Sequence, residues 1–588
     1  MLFFVLPALA ADPSPAAQPF LDGYDSLLGR LYTLDANASW DAATDVGPRN
    51  EGRATAASQA TAAFVGDPRI IAEARDWKAR AAELSPLQVR QIDAILYAAG
   101  ETPGDQTELV NTRLAAETHL RGIQDSFDYC LEARAADGSC PHPLRANDID
   151  EKLRSSVDPA ERLAVWKASK EIGVPLKAGL GELRDLRNAI ARKSGYSSYF
   201  AYQVSEYGMS ADEMMALLDQ LNKDMAPLYT ELHTWSSRQF AKKYGQPVPA
   251  GDIPAHWLPN RWGQEWGGLV AGEDMDAYFA GRSPEWIVKS SEEFYVSMGF
   301  PALPASFYTK SDLYPVPEGQ KRHKNSHASA WQLDLESDVR SLMSVKVNAE
   351  WFGTSHHELG HIYYFLAYTR PEVPLTLRRG ANRAFHEGVG ELANVAAFQP
   401  PYLKQLGVMP KKAKVDPTQQ LLREALEQTG VFVPFATGTM SRFEYELYEQ
   451  NLPADQWQAR WWGIVSQYQG IAVPDVARLT DPNLCDACTK THVIDDPAQY
   501  YDYALATIIK YQLHEHIARK ILKQDPHSCN YYGSKETGAF LQGILKKGAT
   551  EDWRGVLKEA TGEELNTRAM VAYFEPLLKW LKKENAKK

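Results

Sequence analysis

The sequence lacks the features that mark nucleic-acid-binding and membrane-spanning proteins. It has no long basic run, and 75 acidic residues outnumber 63 basic ones, which gives a net charge of −12. Such a chain offers no surface for a phosphate backbone, so nucleic acid is excluded as a partner. No stretch reaches the roughly 18 apolar residues that a membrane-spanning helix requires, so we expect no membrane anchor. With 44% hydrophobic residues, the chain can still bury a large core.

Cysteine is also scarce, with five in 588 residues. Cys130 and Cys140 flank a short polar loop that a disulfide could close, which fits an oxidising compartment. Cys485 and Cys488 are open to three interpretations: half of a zinc knuckle, a redox pair, or a structural disulfide. No second half of a knuckle follows, and an exported protein would oxidise the pair, so the sequence favours the disulfide. Cys529 is then left over, either buried or free.

Residues 1–11 predict a cleavable signal peptide. A short apolar run from Leu2 ends in Ala8-x-Ala10 before a polar, proline-rich stretch, which is the pattern of a secretory signal. No basic region precedes the run, and the alternative is an apolar N-terminal strand or helix. We expect residues 12–588 to form a single domain in the periplasm or outside the cell.

Strand signals are few, and neither an internal repeat nor a low-complexity segment is present. Helical periodicity recurs between about residues 50 and 240 and again through the C-terminal part of the chain. Ser210 and Glu213 have capping-box spacing at the start of one helix. Alternating patterns at 331–335 and 344–348 are the only convincing strands and predict a small sheet. The fold is therefore predicted to be mainly α.

The stretch 357–361 reads His-Glu-Leu-Gly-His, an H-E-x-x-H motif. On a helix, this spacing puts His357 and His361 on one face, within reach of one zinc ion, with Glu358 beside them. The alternative is a chance match on a helix with surface histidines. A helix that packs into a core is favoured because apolar residues recur at three- and four-residue spacing on another face, at Leu359, Ile362, Phe365 and Leu366.

A catalytic zinc site needs a third protein ligand and leaves one position for water. Residues 384–398, stopped by two prolines, are predicted to be helical and carry Glu387 and Glu391 one turn apart. We expect Glu387 to bind zinc and Glu391 to orient a ligating histidine. Paired glutamates on a helix are ordinarily a solvated face, and it is the upstream motif that favours ligation.

These parts together predict cleavage of an amide. Glu358 takes the proton of a water that zinc activates, while the metal polarises the scissile carbonyl. His356 and His386 each adjoin a proposed ligand, but neighbouring residues on a helix point about 100° apart. We therefore expect both to be packing or supporting groups.

The site resembles that of the angiotensin-converting enzyme family of dipeptidyl carboxypeptidases. The resemblance starts from Gly-Ala-Asn-Arg-Ala-Phe-His-Glu at 380–387 and extends over most of the chain, more weakly before about residue 180. It includes His-Ala-Ser-Ala-Trp at 327–331, the Trp pair at 461–462, Tyr-Gln-Gly-Ile at 468–471, His-Glu at 514–515 and Tyr-Phe-x-Pro-Leu-Leu at 573–578. It implies a helical ellipsoid of two lobes around a deep central cleft, with a small sheet near the zinc, and one copy of the domain, as in a bacterial member.

The resemblance also implies roles that spacing alone leaves unassigned. His492 and Tyr503 would hydrogen-bond the tetrahedral intermediate. Gln264, Lys490 and Tyr500 would hold the substrate's free C-terminal carboxylate. Residues beside the zinc, where an extended peptide can add to a strand edge, would be His327, Ala328 and Ala330. Without the resemblance, Lys490 would be an ordinary surface lysine and Tyr500 and Tyr503 part of a core cluster.

Three comparisons with the family pattern carry information: one match at residue 264, and departures at the chloride-binding positions and at residue 391. Glutamine at 264, where the carboxypeptidase branch has arginine, favours release of dipeptides over single residues. Where animal members have chloride-binding arginines, this chain has Val465 and Asp502, which makes chloride activation doubtful. Glu391 stands where the family usually has aspartate.

The sequence thus predicts a monomeric zinc peptidase that releases dipeptides from oligopeptides with a free C-terminus. The alternatives are a zinc oligoendopeptidase or single-residue carboxypeptidase, and a non-catalytic peptide-binding homologue. The last is disfavoured because the motif histidines, both glutamates, His492 and Tyr503 are all present.

Overall fold

The computed structural model describes residues 12–270, 275–325 and 327–587, and the predicted signal peptide lies outside these ranges. Helices account for 64% of the chain and strands for 3%, which confirms the predicted mainly α fold. Within the described ranges, no helix combines the length and apolarity needed to span a bilayer.

The α-helices, in chain order, are α1 Gln18–Thr44, α2 Pro48–Val65, α3 Pro68–Ala79, α4 Pro86–Ala99, α5 Thr107–Ser126, α6 Ala146–Ser155, α7 Pro159–Ser169, α8 Gly173–Lys193, α9 Tyr199–Val204, α10 Ala211–Tyr244, α11 Pro284–Met298 and α12 Ala305–Lys310. They continue with α13 Ala349–Tyr368, α14 Arg383–Ala397, α15 Pro400–Gln405, α16 Pro417–Glu427, α17 Ser441–Tyr448, α18 Trp457–Gln469, α19 His492–Asp495, α20 Tyr501–Glu515, α21 Lys535–Leu545, α22 Trp553–Thr561, α23 Arg568–Tyr573 and α24 Glu575–Asn585. The strands are β1 Ile253–Pro254, β2 Ser329–Gln332, β3 Val339–Leu342 and β4 Ile471–Ala472.

The chain divides into two compact units, each built from three chain segments. The first contains the described residues of Met1–Thr107, Met275–Met409 and His516–Glu564. The second contains those of Glu108–Asp274, Pro410–Glu515 and Leu565–Lys588.

The first unit is organised around α13. This helix packs against α11, α14 and the β2–β3 hairpin. Its core side includes Phe352, Leu359 and Ile362, all fully buried. The apolar spacing read from the sequence therefore does face a core, as expected of an amphipathic helix.

The second unit is organised around α20. Every residue from Tyr501 to His514 is buried except Tyr503, which is half-buried. A helix that is buried nearly all round is a central core element. The long helix α10 begins at a capping box in which Ser210 and Glu213 bond reciprocally to each other's backbone N–H groups, as its sequence predicts.

The small sheet of the first unit is a two-stranded antiparallel ladder, but its second strand is not the predicted one. Ser329 pairs with Leu342 and Gln332 with Val339. The prediction of a strand at 344–348 is wrong, because the backbone there has already left the ladder and the Val345 N–H donates to a loop carbonyl. The first strand stops at Gln332 because the Asp334 carboxylate accepts two backbone N–H groups in a turn.

A second, parallel pair, β1 with β4, lies in the other unit and was not predicted. Two residues per strand are too few to produce an alternating pattern.

The cysteines follow the sequence prediction. Cys130 bonds to Cys140 and Cys485 to Cys488. Cys529 is free and buried, and burial raises the pKa of its thiol to about 12. The structural disulfide was therefore the right choice among the alternatives for the Cys-Asp-Ala-Cys segment.

Candidate metal centre and substrate-binding residues

Three donor atoms from α13 and α14 surround one point in the first unit. Nε2 of His357 is 3.0 Å from Nε2 of His361 and 3.6 Å from Oε2 of Glu387, and the remaining separation is 3.9 Å. Two ligands at about 2.0 Å from a tetrahedral zinc lie roughly 3.3 Å apart. The observed separations bracket that value, so the three residues form a possible metal site that fits zinc.

The charges around these three donor atoms favour the binding of a cation. Burial lowers the pKa of His357, but the hydrogen bond with Glu387 and the charges of two further glutamates raise it to about 9. Burial lowers the pKa of His361 well below its ordinary value. Burial raises the pKa of Glu387, but its histidine neighbours bring it down to about 2. A divalent ion would supply the positive charge that this carboxylate faces and displace the proton from His357.

Each histidine of the cluster has a partner on its other ring nitrogen. Nδ1 of His357 lies 3.6 Å from Oε1 of Glu391, one turn along α14 from Glu387. Nδ1 of His361 lies 2.7 Å from Nδ1 of His386, whose ring packs between Tyr364 and Phe365. Such contacts fix ring orientation, which is what a metal ligand needs from its surroundings.

Glu358 lies next to the first ligand and is only 6% exposed. Burial raises the pKa of its carboxyl group to about 7, against the opposing charge of His357. A carboxyl group that titrates near neutrality can both take and return a proton.

Two glycines allow the helices that carry these ligands to cross closely. A Cβ on Gly360 would lie 3.1 Å from the Cα of Gly390, and one on Gly390 would lie 2.8 Å from Cε1 of His357. Each helix begins at an asparagine cap: Asn348 accepts the Trp351 N–H in α13, and Asn382 plays the same part for α14. These glycines were not predicted as site residues, although a glycine within a helix can indicate close packing.

His356 faces away from the donor cluster. Its Nδ1 lies 2.8 Å from the Phe352 carbonyl and 3.0 Å from Oγ of Ser291, and its Nε2 lies 3.2 Å from the Tyr402 hydroxyl. Burial lowers the pKa of His356 to about 4, so it is a neutral packing group.

The residues predicted to meet the substrate beside the zinc lie on or just before β2, which packs on α13. His327 is exposed, and Ala328 and Ala330 are half-buried. In the described chain, β3 is the only strand that pairs with β2.

The three residues predicted to hold the substrate carboxylate, the predicted clamp, lie together within the second unit. Nζ of Lys490 donates to Oε1 of Gln264 at 2.7 Å, and the Tyr500 hydroxyl lies 3.5 Å from the same oxygen. Lys490 is 4% exposed, and its ammonium lies 4.4 Å from the Trp262 ring centroid and 5.6 Å from that of Phe435. Burial, with the nearby charge of an arginine, lowers its pKa to about 7. The lysine is therefore not the surface residue that spacing alone suggested.

His492 and Tyr503 lie beside this clamp. The His492 ring is 4.9 Å from that of Tyr500 and 6.0 Å from that of Tyr503, and the two tyrosine rings are 5.2 Å apart. Both His492 and Tyr503 are half-buried, whereas Tyr500 is buried. The five residues thus form one polar-aromatic cluster in the second unit.

The two positions where the family pattern has arginine are buried and carry no positive charge. Val465 is 3% exposed in α18. Asp502 is fully buried and accepts a hydrogen bond from the Tyr207 hydroxyl at 2.5 Å.

Comparison with known proteins gives the family. The sequence profile of the angiotensin-converting enzyme family matches residues 12–588. The chain belongs to the angiotensin-converting enzyme family. Membership makes it a zinc metallopeptidase, in agreement with the donor cluster.

Three curated members illustrate the distance to relatives. An angiotensin-converting enzyme-related protein of Drosophila melanogaster is 30% identical over 87% of this chain and 84% of its own length. An angiotensin-converting enzyme of Haematobia irritans exigua is 28% identical over 96% of this chain and 93% of its own. The angiotensin-converting enzyme of Rattus norvegicus is 30% identical over 74% of this chain but only 34% of its own length.

Proposed function

We propose that this protein is a zinc peptidyl-dipeptidase, which removes dipeptides from the free C-terminus of oligopeptides. The observation that carries the proposal is the donor cluster of His357, His361 and Glu387 with Glu358 beside it. When bound, zinc would polarise the scissile carbonyl and make a water acidic. Glu358 takes that water's proton on its carboxylate and returns it to the leaving amine. Glu391 holds the His357 ring through Nδ1.

C-terminal specificity is supported by the chemistry around Lys490. Its only close polar contact in the described residues is the neutral oxygen of Gln264, and no carboxylate forms an ion pair with it there. A buried ammonium without a counter-ion calls for an anionic ligand. The substrate's terminal carboxylate is that ligand in our proposal, with the Tyr500 hydroxyl as a further donor.

The remaining assignments follow the family pattern. His492 and Tyr503 donate hydrogen bonds to the tetrahedral intermediate. His327 and Ala328, just before β2, and Ala330, on β2, bind the substrate backbone. The enzyme acts as a monomer in the periplasm or outside the cell, which two disulfides support, and chloride does not activate it.

The test is the substitution Glu358→Gln in the zinc-loaded enzyme. The amide keeps the shape of the side chain but cannot accept the proton, so we expect unchanged zinc content and a loss of kcat of about 10²–10⁴-fold, the typical contribution of general-base catalysis. Metal analysis and peptide hydrolysis measure both. Near-wild-type turnover with zinc bound would refute the role of Glu358.

A peptide with an amidated C-terminus distinguishes a peptidyl-dipeptidase from the alternative zinc peptidases. A peptidyl-dipeptidase should lose most of its activity on the amidated peptide, whereas an oligoendopeptidase should not. A single-residue carboxypeptidase is recognised by its product, one amino acid.

A further inference from the structure

We propose that Glu444 is a positioning residue that fixes the backbone turn at Ala498 and thereby sets Tyr500 and Tyr503 in their working orientations. The inference rests on the proposed function of those tyrosines. It concerns a side chain of α17 that belongs to neither the metal centre nor the clamp.

The turn at Ala498 is strained, and the Ala498 N–H is bonded to a buried side chain. Ala498 has φ of +59°, one of four non-glycine residues with positive φ in the described chain. Oε1 of Glu444 accepts the Ala498 N–H at 2.7 Å, and both residues are buried. A non-glycine residue persists in this conformation only where its surroundings over-determine it. The glutamate supplies that constraint.

The turn lies immediately before the functional tyrosines. Tyr500 follows Ala498 by two residues, α20 begins at Tyr501, and Tyr503 is in its first turn. A change of φ at residue 498 would rotate the chain that leads into this helix. The Tyr500 hydroxyl, 3.5 Å from Oε1 of Gln264, would then lose its place in the clamp.

The same helix braces the other end of the segment. Tyr448, one turn after Glu444 on α17, bonds through its hydroxyl to Arg187 at 3.0 Å. Arg187 is buried and donates to the carbonyls of Val493 and Ile494, which directly follow His492. One face of α17 therefore supports the segment His492–Tyr503 at two points.

Within the described residues, the Ala498 N–H is the hydrogen-bond partner recorded for the carboxyl group of Glu444. This carboxyl group is fully buried, and Oε2 has no hydrogen-bond partner within the described part of the chain. Burial raises its pKa to about 8, and in either protonation state Oε1 can accept the Ala498 N–H. Burying a carboxyl group costs free energy. A role in holding the Ala498 N–H accounts for its presence in the core.

The test compares Glu444→Met, Glu444→Gln and Ala498→Gly, alone and in the Glu444→Met background. Methionine fills the volume but cannot accept the hydrogen bond. We expect Glu444→Met to raise KM for a blocked peptide with a free C-terminus and to lower kcat, each at least fivefold. The inhibition constant of the matching peptide amide should change less, because the amide does not use the clamp. Zinc content should be unchanged.

Two variants distinguish positioning from general destabilisation. Glu444→Gln retains a carbonyl oxygen for the Ala498 N–H, so its kcat and KM should stay within about threefold of the wild-type values. Adding Ala498→Gly to Glu444→Met should recover most of the loss, because glycine adopts this conformation without strain. Should Glu444→Met fail to fold, Ala498→Val provides the second route. Its β-branched side chain opposes positive φ while Glu444 stays in place, and the same split is expected.

Hydrogen–deuterium exchange over residues 492–503 gives a readout that does not depend on activity. The segment should exchange faster in Glu444→Met and at the wild-type rate in Glu444→Gln. Wild-type exchange and kinetics in Glu444→Met, or no recovery with Ala498→Gly, would overturn the inference. A wild-type enzyme that releases no dipeptide would instead defeat the proposed function, and exchange would then decide the positioning role alone.

Discussion

The affinity for a free C-terminal carboxylate should fall as pH rises above about 7, because Lys490 must be protonated to bind it. Burial lowers the pKa of Lys490 to about 7 in the free enzyme. A bound carboxylate would return the pKa toward its ordinary value near 10. Between these limits, binding takes up one proton, so each pH unit costs about 1.4 kcal/mol, or tenfold in KM. Because half of Lys490 is already neutral at pH 7, KM at pH 9 should be roughly fiftyfold higher than at pH 7.

The assay measures KM for a blocked peptide acid and the inhibition constant of its amide from pH 6 to 9. Other titrating groups affect both ligands, so the ratio of the two constants isolates Lys490. The ratio should be level below pH 7 and rise above it. Lys490→Met, which fills the same space without charge, should give a high ratio at every pH. A flat ratio in the wild type, or a persistent slope in Lys490→Met, would refute the clamp.

The other predictions concern the metal centre and chloride. Gly390→Ala should weaken zinc binding about tenfold or more in a chelator titration, because the added Cβ would press on the ligand His357. The matched control is Gly543→Ala, on an open face of α21, which should leave zinc binding unchanged. Glu391→Gln should raise the zinc dissociation constant about 10- to 100-fold, because an outer partner orients the ligand; an unchanged constant would contradict this. Replacing acetate by chloride at constant ionic strength should change kcat/KM less than twofold, since Val465 and Asp502 offer no positive charge, and strong activation would disprove this.

The metal helix could be predicted because two independent patterns coincide on it. The H-E-x-x-H spacing and the apolar repeat of Leu359 and Ile362 both have helical period, and the structure gives α13 as one helix. The third ligand, Glu387, could be predicted for the same reason. The helix that ends at the two prolines carries Glu387 and Glu391 on one face. Local periodicity is enough where the motif itself is local.

The close approach of the two helices was not predicted. It depends on Gly360 and Gly390, which meet only after residues thirty apart in sequence are brought together. The pairing of His361 with His386 has the same origin. Spacing arguments treat each helix alone and do not report which faces touch.

The strands show how far an alternating pattern can mislead. The predicted strand at 344–348 does alternate, yet the ladder partner of β2 is Val339–Leu342. Asn348 caps α13, and this draws the preceding residues out of the sheet. The helix cap at Asn348 therefore had more influence on residues 344–348 than their strand propensity.

The roles of Lys490, His492 and Tyr503 came from family resemblance, because isolated residues on a loop, a four-residue helix and a buried helix have no spacing signal. Burial of Lys490 among aromatic rings is a tertiary property. So is the contact of Glu444 with Ala498, which joins residues 54 positions apart.

The most direct test of the proposed peptidyl-dipeptidase activity is mass spectrometry of a blocked oligopeptide with a free C-terminus, incubated with the zinc-loaded enzyme with and without a chelator. We expect the peptide to lose one C-terminal dipeptide at a time, and we expect the chelator to abolish this release and zinc to restore it. Internal cleavage, single-residue release, or dipeptide release that survives complete removal of the metal would contradict it.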